Sequence, residues 1–337
     1  MNDESIFKYL SPSDNTEISK MSSCDLHELL LLLNSFYLSL RDNLKLDKSV
    51  TFGVEIECEK SNNKKIKKDL DNLILNDKWL VVPDASLTKG IEVVSPILRD
   101  NKRNWLDLEN VCSVISKYAI IDKKAAGHVH VGSHILGNER QSWINFIMLW
   151  SVYENIIFRF SYGEYLSVRP SLKEYALPIS SSLWYNYEKI LEYNISLKSM
   201  VDRIMYEKYS AFNLQNVKTE NSNHFSEGNT IEFRCPNGTL NSVIWQNNVN
   251  FFTKLLLYCR SKNFNNDIIF RRKKINLDEY NSLIYYNEIF LDQALELCDM
   301  IFDNNLDKLY FLRQYLKSFK VSSTNNYIKA KPMVKKF

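Results

Sequence analysis

Three short runs of this chain carry side chains that could do chemistry. They are Gly53-Val54-Glu55-Ile56-Glu57, Gly127-His128-Val129-His130 and Glu232-Phe233-Arg234. Successive residues of a strand point to opposite faces, so Glu55 and Glu57 share a face, as do His128 and His130, and Glu232 and Arg234. Two carboxylates at that spacing have Cα atoms roughly 6–7 Å apart, so each can serve a different ion of a pair. Asp84 and Glu92 flank a turn and can meet again across a hairpin. Carboxylates joined by an imidazole from His128 suit Mg²⁺ or Mn²⁺. Arg234 is permanently charged and forks onto phosphate oxygens, and His130 can donate to a phosphate. Together these residues read as the wall of a site for a metal-bound nucleotide.

Taken singly, each pattern is common. A Glu-x-Glu strand is most often a solvated face, and a Glu-x-Arg pair a surface ion pair worth little. The conjunction is more specific. Three of the five histidines (His128, His130, His134) fall within seven residues. His134 follows the Gly132 turn and reads as a surface residue. Glu59 continues the polar face at a strand end and is left out of the ligand set. Glycine is scarce, with eight in the chain, and Gly53, Gly90, Gly127, Gly132 and Gly238 flank these motifs.

The elements that must position these residues follow from periodicity. Strict alternation over Val50–Glu59 predicts a half-buried strand. Trp79–Pro83 and Ile91–Ser95 predict a hairpin, and Ala126–Gly132, Tyr209–Leu214 and Thr230–Cys235 predict further strands. Ser23 caps a predicted helix from about Asp25 to Leu46, with a stripe through Leu26, Leu29, Leu30, Leu33, Phe36 and Leu40. Lys60–Lys68 reads as an exposed turn entering a helix. Helices are predicted over Asn104–Lys117, over the very apolar Gln141–Phe160, and over Leu191–Tyr206. Leu166–Ser182, broken by Pro170 and Pro178, reads as a loop with some order, and Lys218–Asn229 as a polar loop. Val243–Phe319 reads as helical and Lys320–Phe337 as a mobile basic tail. The division is an N-terminal helical segment (1–49), a core (50–245), a helical C-terminal region of the same domain (246–320) and a flexible tail (321–337).

Composition narrows the class. The chain has 337 residues, 45% of them hydrophobic and 13% aromatic, enough for a sizeable core. Its 43 basic and 40 acidic residues argue against a dedicated nucleic-acid binder. Six scattered cysteines without a CxxC pair favour a reduced, cytoplasmic chain. The N-terminus lacks a basic-then-apolar leader, and Leu29–Leu33 is too short to span a bilayer.

At these residues the sequence resembles the amidoligase family of the glutamine synthetase and glutamate–cysteine ligase superfamily of carboxylate–amine ligases. The resemblance covers about residues 50–245. It runs through Phe52–Glu57, Asp84-Ala85-Ser86 leading to Glu92–Pro96, Gly127–Gly132, Ile231–Arg234 and Asn237–Asn241. It implies an α+β fold, a curved glutamine synthetase-like antiparallel sheet around the active site with helices behind it and a helical C-terminal region. It implies metal ligation by Glu55, Glu57, Asp84, Glu92, His128 and Glu232, with Asp84 a departure from the Glu usual in glutamine synthetases. His130 and Arg234 match the residues at the transferred phosphate, with Ser86 also on the nucleotide. Catalytic roles fall to Arg234, His130 and Glu232. Arg169 and Tyr175 lie in a region that is also family-like and are weaker candidates for holding substrate; a surface arginine is an equal reading of Arg169. The cofactors implied are ATP and two or more Mg²⁺ or Mn²⁺ ions. The partners implied are a carboxylate and an amine, from an amino acid, peptide or small metabolite, with no nucleic acid or membrane. An oligomer contact through the C-terminal third stays open.

Two other readings compete. A zinc hydrolase would use His128 and His130 with a third protein ligand and a water. A non-catalytic binding protein on the same fold would be expected to have lost some of these residues. Kinase chemistry on a guanidino acceptor, which occurs in the wider superfamily, differs only in the acceptor.

Overall fold

The computed structural model describes residues 4–84, 86–87, 89–122, 124–167, 169–185, 196–204, 208–218, 229–276, 288–317, 321–323, 326–328 and 333–334. The alternating run becomes β1 (Phe52–Cys58), and the hairpin becomes β2 (Leu80–Pro83) and β3 (Ile91–Val94). β4 (Gly127–Gly132), β5 (Phe212–Asn213) and β6 (Thr230–Phe233) complete a six-stranded sheet in the order β2-β3-β1-β4-β6-β5. All its pairings are antiparallel. The fold is α+β.

Register decides what each face carries. Glu57 lies opposite Glu92, Glu55 opposite His128, His130 opposite Glu232, and Glu232 opposite Asn213. Directly opposed residues have Cβ atoms about 4.5–5.5 Å apart, so this face gathers the polar residues of five strands into one patch. The other face carries Val54, Ile56, Val93, Val129, Val131, Ile231 and Phe233, each buried. Beneath it lie helices Arg140–Ser161 and Ser242–Arg260, each buried nearly all round. Phe233 stacks on Phe252 with ring centroids 4.1 Å apart, and Trp150 and Phe146 close the same aromatic layer. Gly127 is needed here, because a Cβ would sit 2.5 Å from the Trp245 ring of the second helix.

Several expectations are corrected. The first long helix spans Ser23–Leu33, capped by Ser22, and does not reach Leu46. Beyond it the backbone is irregular because side chains from far along the chain take its polar groups. Arg313 donates to the Phe36 carbonyl (2.8 Å) and Tyr310 to that of Ser39 (3.0 Å). The Gln246 amide bonds Arg41 in both directions, and Asp100 accepts from the Leu44 and Leu46 amides. Tertiary partners override the apolar stripe. The Tyr209–Leu214 strand shortens to two residues, and Leu166–Ser182 contains the short helix Leu172–Tyr175. Of the Leu191–Tyr206 helix, Leu197–Ile204 is present; 191–195 and 205–206 lie outside the described residues. Asn63–Asp71 forms the helix entered from the basic turn, capped by Asn62.

The helical run after Val243 divides into Ser242–Arg260, Asn266–Asn276, Leu291–Ile301 and Asn305–Tyr315. A boundary at 245 therefore falls inside one continuous helix packed under the sheet. The tail carries a hairpin, β7 (Val321–Ser323) with β8 (Asn326–Ile328), and Met333 is buried with its carbonyl bonded to the Leu38 amide. The tail lysines Lys329, Lys331, Lys335 and Lys336 lie outside the described residues. No described helix is long and apolar enough to cross a membrane.

One buried carboxylate ties helix Arg140–Ser161 to the loop bordering the polar face. Glu154 accepts from Trp150 Nε1 (2.8 Å), the Ile179 amide (2.8 Å), the Ser180 amide (3.0 Å) and the Ser180 hydroxyl (2.5 Å). Burial pushes its pKa up, and these donors oppose that shift. Glu154→Ala strands four donors and is expected to destabilise the protein by about 3–5 kcal/mol in urea denaturation. A change below about 1 kcal/mol would show that water replaces the carboxylate without loss.

Candidate active site

The polar patch forms the floor of a cleft of about 850 Å³. Glu55 is its hub. His128 Nδ1 lies 2.8 Å from Glu55 Oε2, and His130 Nε2 lies 2.9 Å from Glu55 Oε1. Burial alone would raise the Glu55 pKa, but hydrogen bonds and charge from the two histidines hold it well below the usual carboxylate range. His128 also faces Glu57 through Nε2 and Glu232 through Nδ1, each at 3.5 Å. Burial lowers the His130 pKa, and the Glu55 hydrogen bond together with the charges of Glu55 and Glu232 more than offsets it, for a net rise. The second His130 nitrogen, Nδ1, lies 3.2 Å from the Thr230 hydroxyl.

Arg234 leaves the end of β6 and pairs with Glu232 Oε1, while its Nε donates to the Tyr175 carbonyl (3.1 Å). The other Glu232 oxygen accepts from Asn213 (2.8 Å), and the Tyr209 ring lies 5.8 Å from the guanidinium carbon. Glu92 lies among carboxylates. Burial first, then Glu55, Glu57 and Asp84, push its pKa up to about 9.

Two groups of residues bring ligand atoms within 4.8 Å of one another: Glu55, His130 and Glu232, and Glu55, Glu92 and His128. Their oxygen-rich donor sets fit hard divalent ions, and two groups sharing one carboxylate fit a pair of ions. His128 Nε2 is buried with Glu57 Oε1 3.5 Å away and no hydrogen-bond partner among the described residues, which fits a site built for an electrophile. Residues expected from the sequence are not all joined in this way. His130 stands in one group where a phosphate contact was expected. Glu57 lines the cleft outside both, with Oε2 accepting the Ala126 amide (2.7 Å). Asp84 also lines the cleft, but it accepts the Ser86 amide (2.7 Å), closing its own turn; the residue across the hairpin from Glu92 is Val82. Ser86 and Tyr175 line the cleft wall.

Arg169 is not among the residues that line this cleft. Its guanidinium is buried against the carbonyls of Arg234, Cys235 and Pro236. Sequence reading missed Asn213 and Tyr209. Asn213 is the polar member of Ala211–Leu214, and that alternation was the available signal. Among the described residues no third imidazole joins His128 and His130: His134 contacts the Ser49 carbonyl and His27 lies on the helix Ser23–Leu33, while His224 lies outside the described residues.

Against known proteins, residues 58–256 match the family model described as "Putative amidoligase enzyme". The chain belongs to this amidoligase family. No curated protein matches the sequence. A solved structure that it resembles is a bifunctional glutathione synthetase from Pasteurella multocida, at 12% identity and a TM-score of 0.40. The match covers 88% of this chain and 49% of that one, so this chain spans about half the length of that relative.

Proposed function

We propose that this amidoligase is an ATP-dependent carboxylate–amine ligase that works through an acyl phosphate. The observation that carries the reading is the pair of ligand groups sharing Glu55, set beside Arg234 on one sheet face. Glu55, Glu92 and His128 would hold one divalent ion, and Glu55, His130 and Glu232 another, with Glu57 and Asp84 within the same cleft. Such ions neutralise charge on the phosphate oxygens.

A carboxylate resists attack by an amine because it is anionic and would have to expel oxide. Transfer of the terminal phosphoryl group of ATP onto it releases ADP and creates a good leaving group. The amine then forms the amide and phosphate departs. Arg234 is suited to fork onto the moving phosphoryl group, and the Tyr175 carbonyl fixes its direction. His130 stays near that group, oriented by Thr230 and Glu55. The cleft walls supply Lys124, Lys208, Glu174 and Tyr209 for the carboxylate and the amine. An amino acid, peptide or small metabolite fits these walls. The free cysteines support a cytoplasmic location.

Calorimetric titration with ATP and ADP, with and without Mg²⁺, tests the reading. Expected is nucleotide binding that requires Mg²⁺ and weakens in Glu232→Gln. Stoichiometric, tightly held zinc with no nucleotide binding would favour a hydrolase instead.

A further inference from the structure

We infer that Arg169 is a positioning residue that holds Arg234 in place for the terminal phosphate of the nucleotide. The inference rests on the nucleotide reading above. Arg169 is 4% exposed, and among the described residues it makes no ion pair, although the Glu57 charge acts on it. Its donors go to backbone instead. Nη2 reaches the Arg234 carbonyl at 2.9 Å, and Nη1 reaches those of Cys235 (3.2 Å) and Pro236 (2.5 Å). Nε donates to the Ser171 hydroxyl (3.2 Å), which in turn donates to the Lys124 carbonyl (3.0 Å).

A buried cation that spends its donors on three successive carbonyls is an expensive way to stabilise a loop, since desolvation is not repaid by an ion pair. What it secures is the backbone of the residue whose guanidinium faces Glu232. The same short segment grips Arg234 a second time. The amide of Leu172 bonds the Arg169 carbonyl, that of Tyr175 bonds the Ser171 carbonyl, and the Tyr175 carbonyl accepts from Arg234 Nε. Residues 169–175 thus form a bracket that fixes Arg234 by its main chain at one end and by its side chain at the other. The Pro236 carbonyl also accepts the Gly127 amide (3.1 Å), which ties the bracket to the start of β4. The planar guanidinium matches a row of carbonyls as an ammonium cannot.

The test is calorimetric titration of Mg²⁺·ATP and Mg²⁺·ADP into wild type, Arg169→Gln, Arg169→Lys, Arg234→Lys and the Arg169→Gln/Arg234→Lys double variant. Arg169→Gln is expected to weaken Mg²⁺·ATP about tenfold and Mg²⁺·ADP much less, with partial recovery in Arg169→Lys. The double variant should bind ATP no more weakly than Arg234→Lys alone, because both changes act through one guanidinium. If Arg169→Gln fails to fold, Ser171→Ala, which removes the Nε contact and the Ser171–Lys124 bond but leaves the three carbonyl contacts, should show a smaller loss of the same ATP-selective kind. Equal loss for ATP and ADP, full additivity with Arg234→Lys, or wild-type affinity in every variant overturns the inference while leaving the nucleotide site intact. A wild type that binds no Mg²⁺·ATP overturns the ligase reading itself, and this role with it.

Discussion

Glu55→Gln is expected to lower Mg²⁺-dependent ADP release by about 10³-fold or more while the protein stays folded. The reason is that Glu55 contributes to both ligand groups, so one neutralised carboxylate weakens two ions. Gln keeps the size of the side chain and can still bond His128 and His130, which preserves the local packing. Manganese titration followed by electron paramagnetic resonance gives an independent reading. Wild type should take up two ions, and Glu55→Gln should take up neither tightly. Glu92→Gln touches one group only and should retain one ion. Equal manganese uptake by wild type and Glu55→Gln would remove the metal site from this face of the sheet.

Arg234→Ala should lower turnover by about 10²–10³-fold and leave manganese uptake intact, since Arg234 lies beside the ligand set and not in it. The loss should appear in kcat more than in the KM of either acceptor, because the guanidinium meets charge that grows as the phosphoryl group moves. Arg234→Lys keeps the charge and loses the fork, so it should recover only part of the rate. Full activity in Arg234→Ala would assign phosphate handling to other residues.

Most of the candidate site was legible before the structure because strands encode their faces in alternate residues. Glu55 with Glu57, and His128 with His130, are placed on one side by that rule alone. Which strands adjoin is a tertiary fact, and so is the pairing of Glu57 with Glu92 and of His130 with Glu232. Arg169 was misread for the same reason. A lone arginine before proline carries no local sign of whether it meets a ligand or three backbone carbonyls. The first helix was overextended because Phe36 and Leu40 continue an apolar stripe, and nothing nearby announces Arg313, Tyr310 and Gln246 as partners. Asn213 was within reach, since it is the polar residue of a predicted strand.

The irregular stretch after the first helix also sets the order in which the chain can mature. The bond from Arg313 to Phe36 spans 277 residues, and that from Asn305 to Thr16 spans 289. At synthesis rates of about 5–20 residues per second, the Phe36 carbonyl waits roughly 14–55 s for its partner. During that interval the leading segment holds exposed leucines without a settled place to bury them. A polypeptide trimmed to the 58–256 stretch that matches the family model would lack both ends of this clasp and nearly all of β1. Expression of that stretch alone should therefore yield aggregated material, and supplying the missing ends should rescue it.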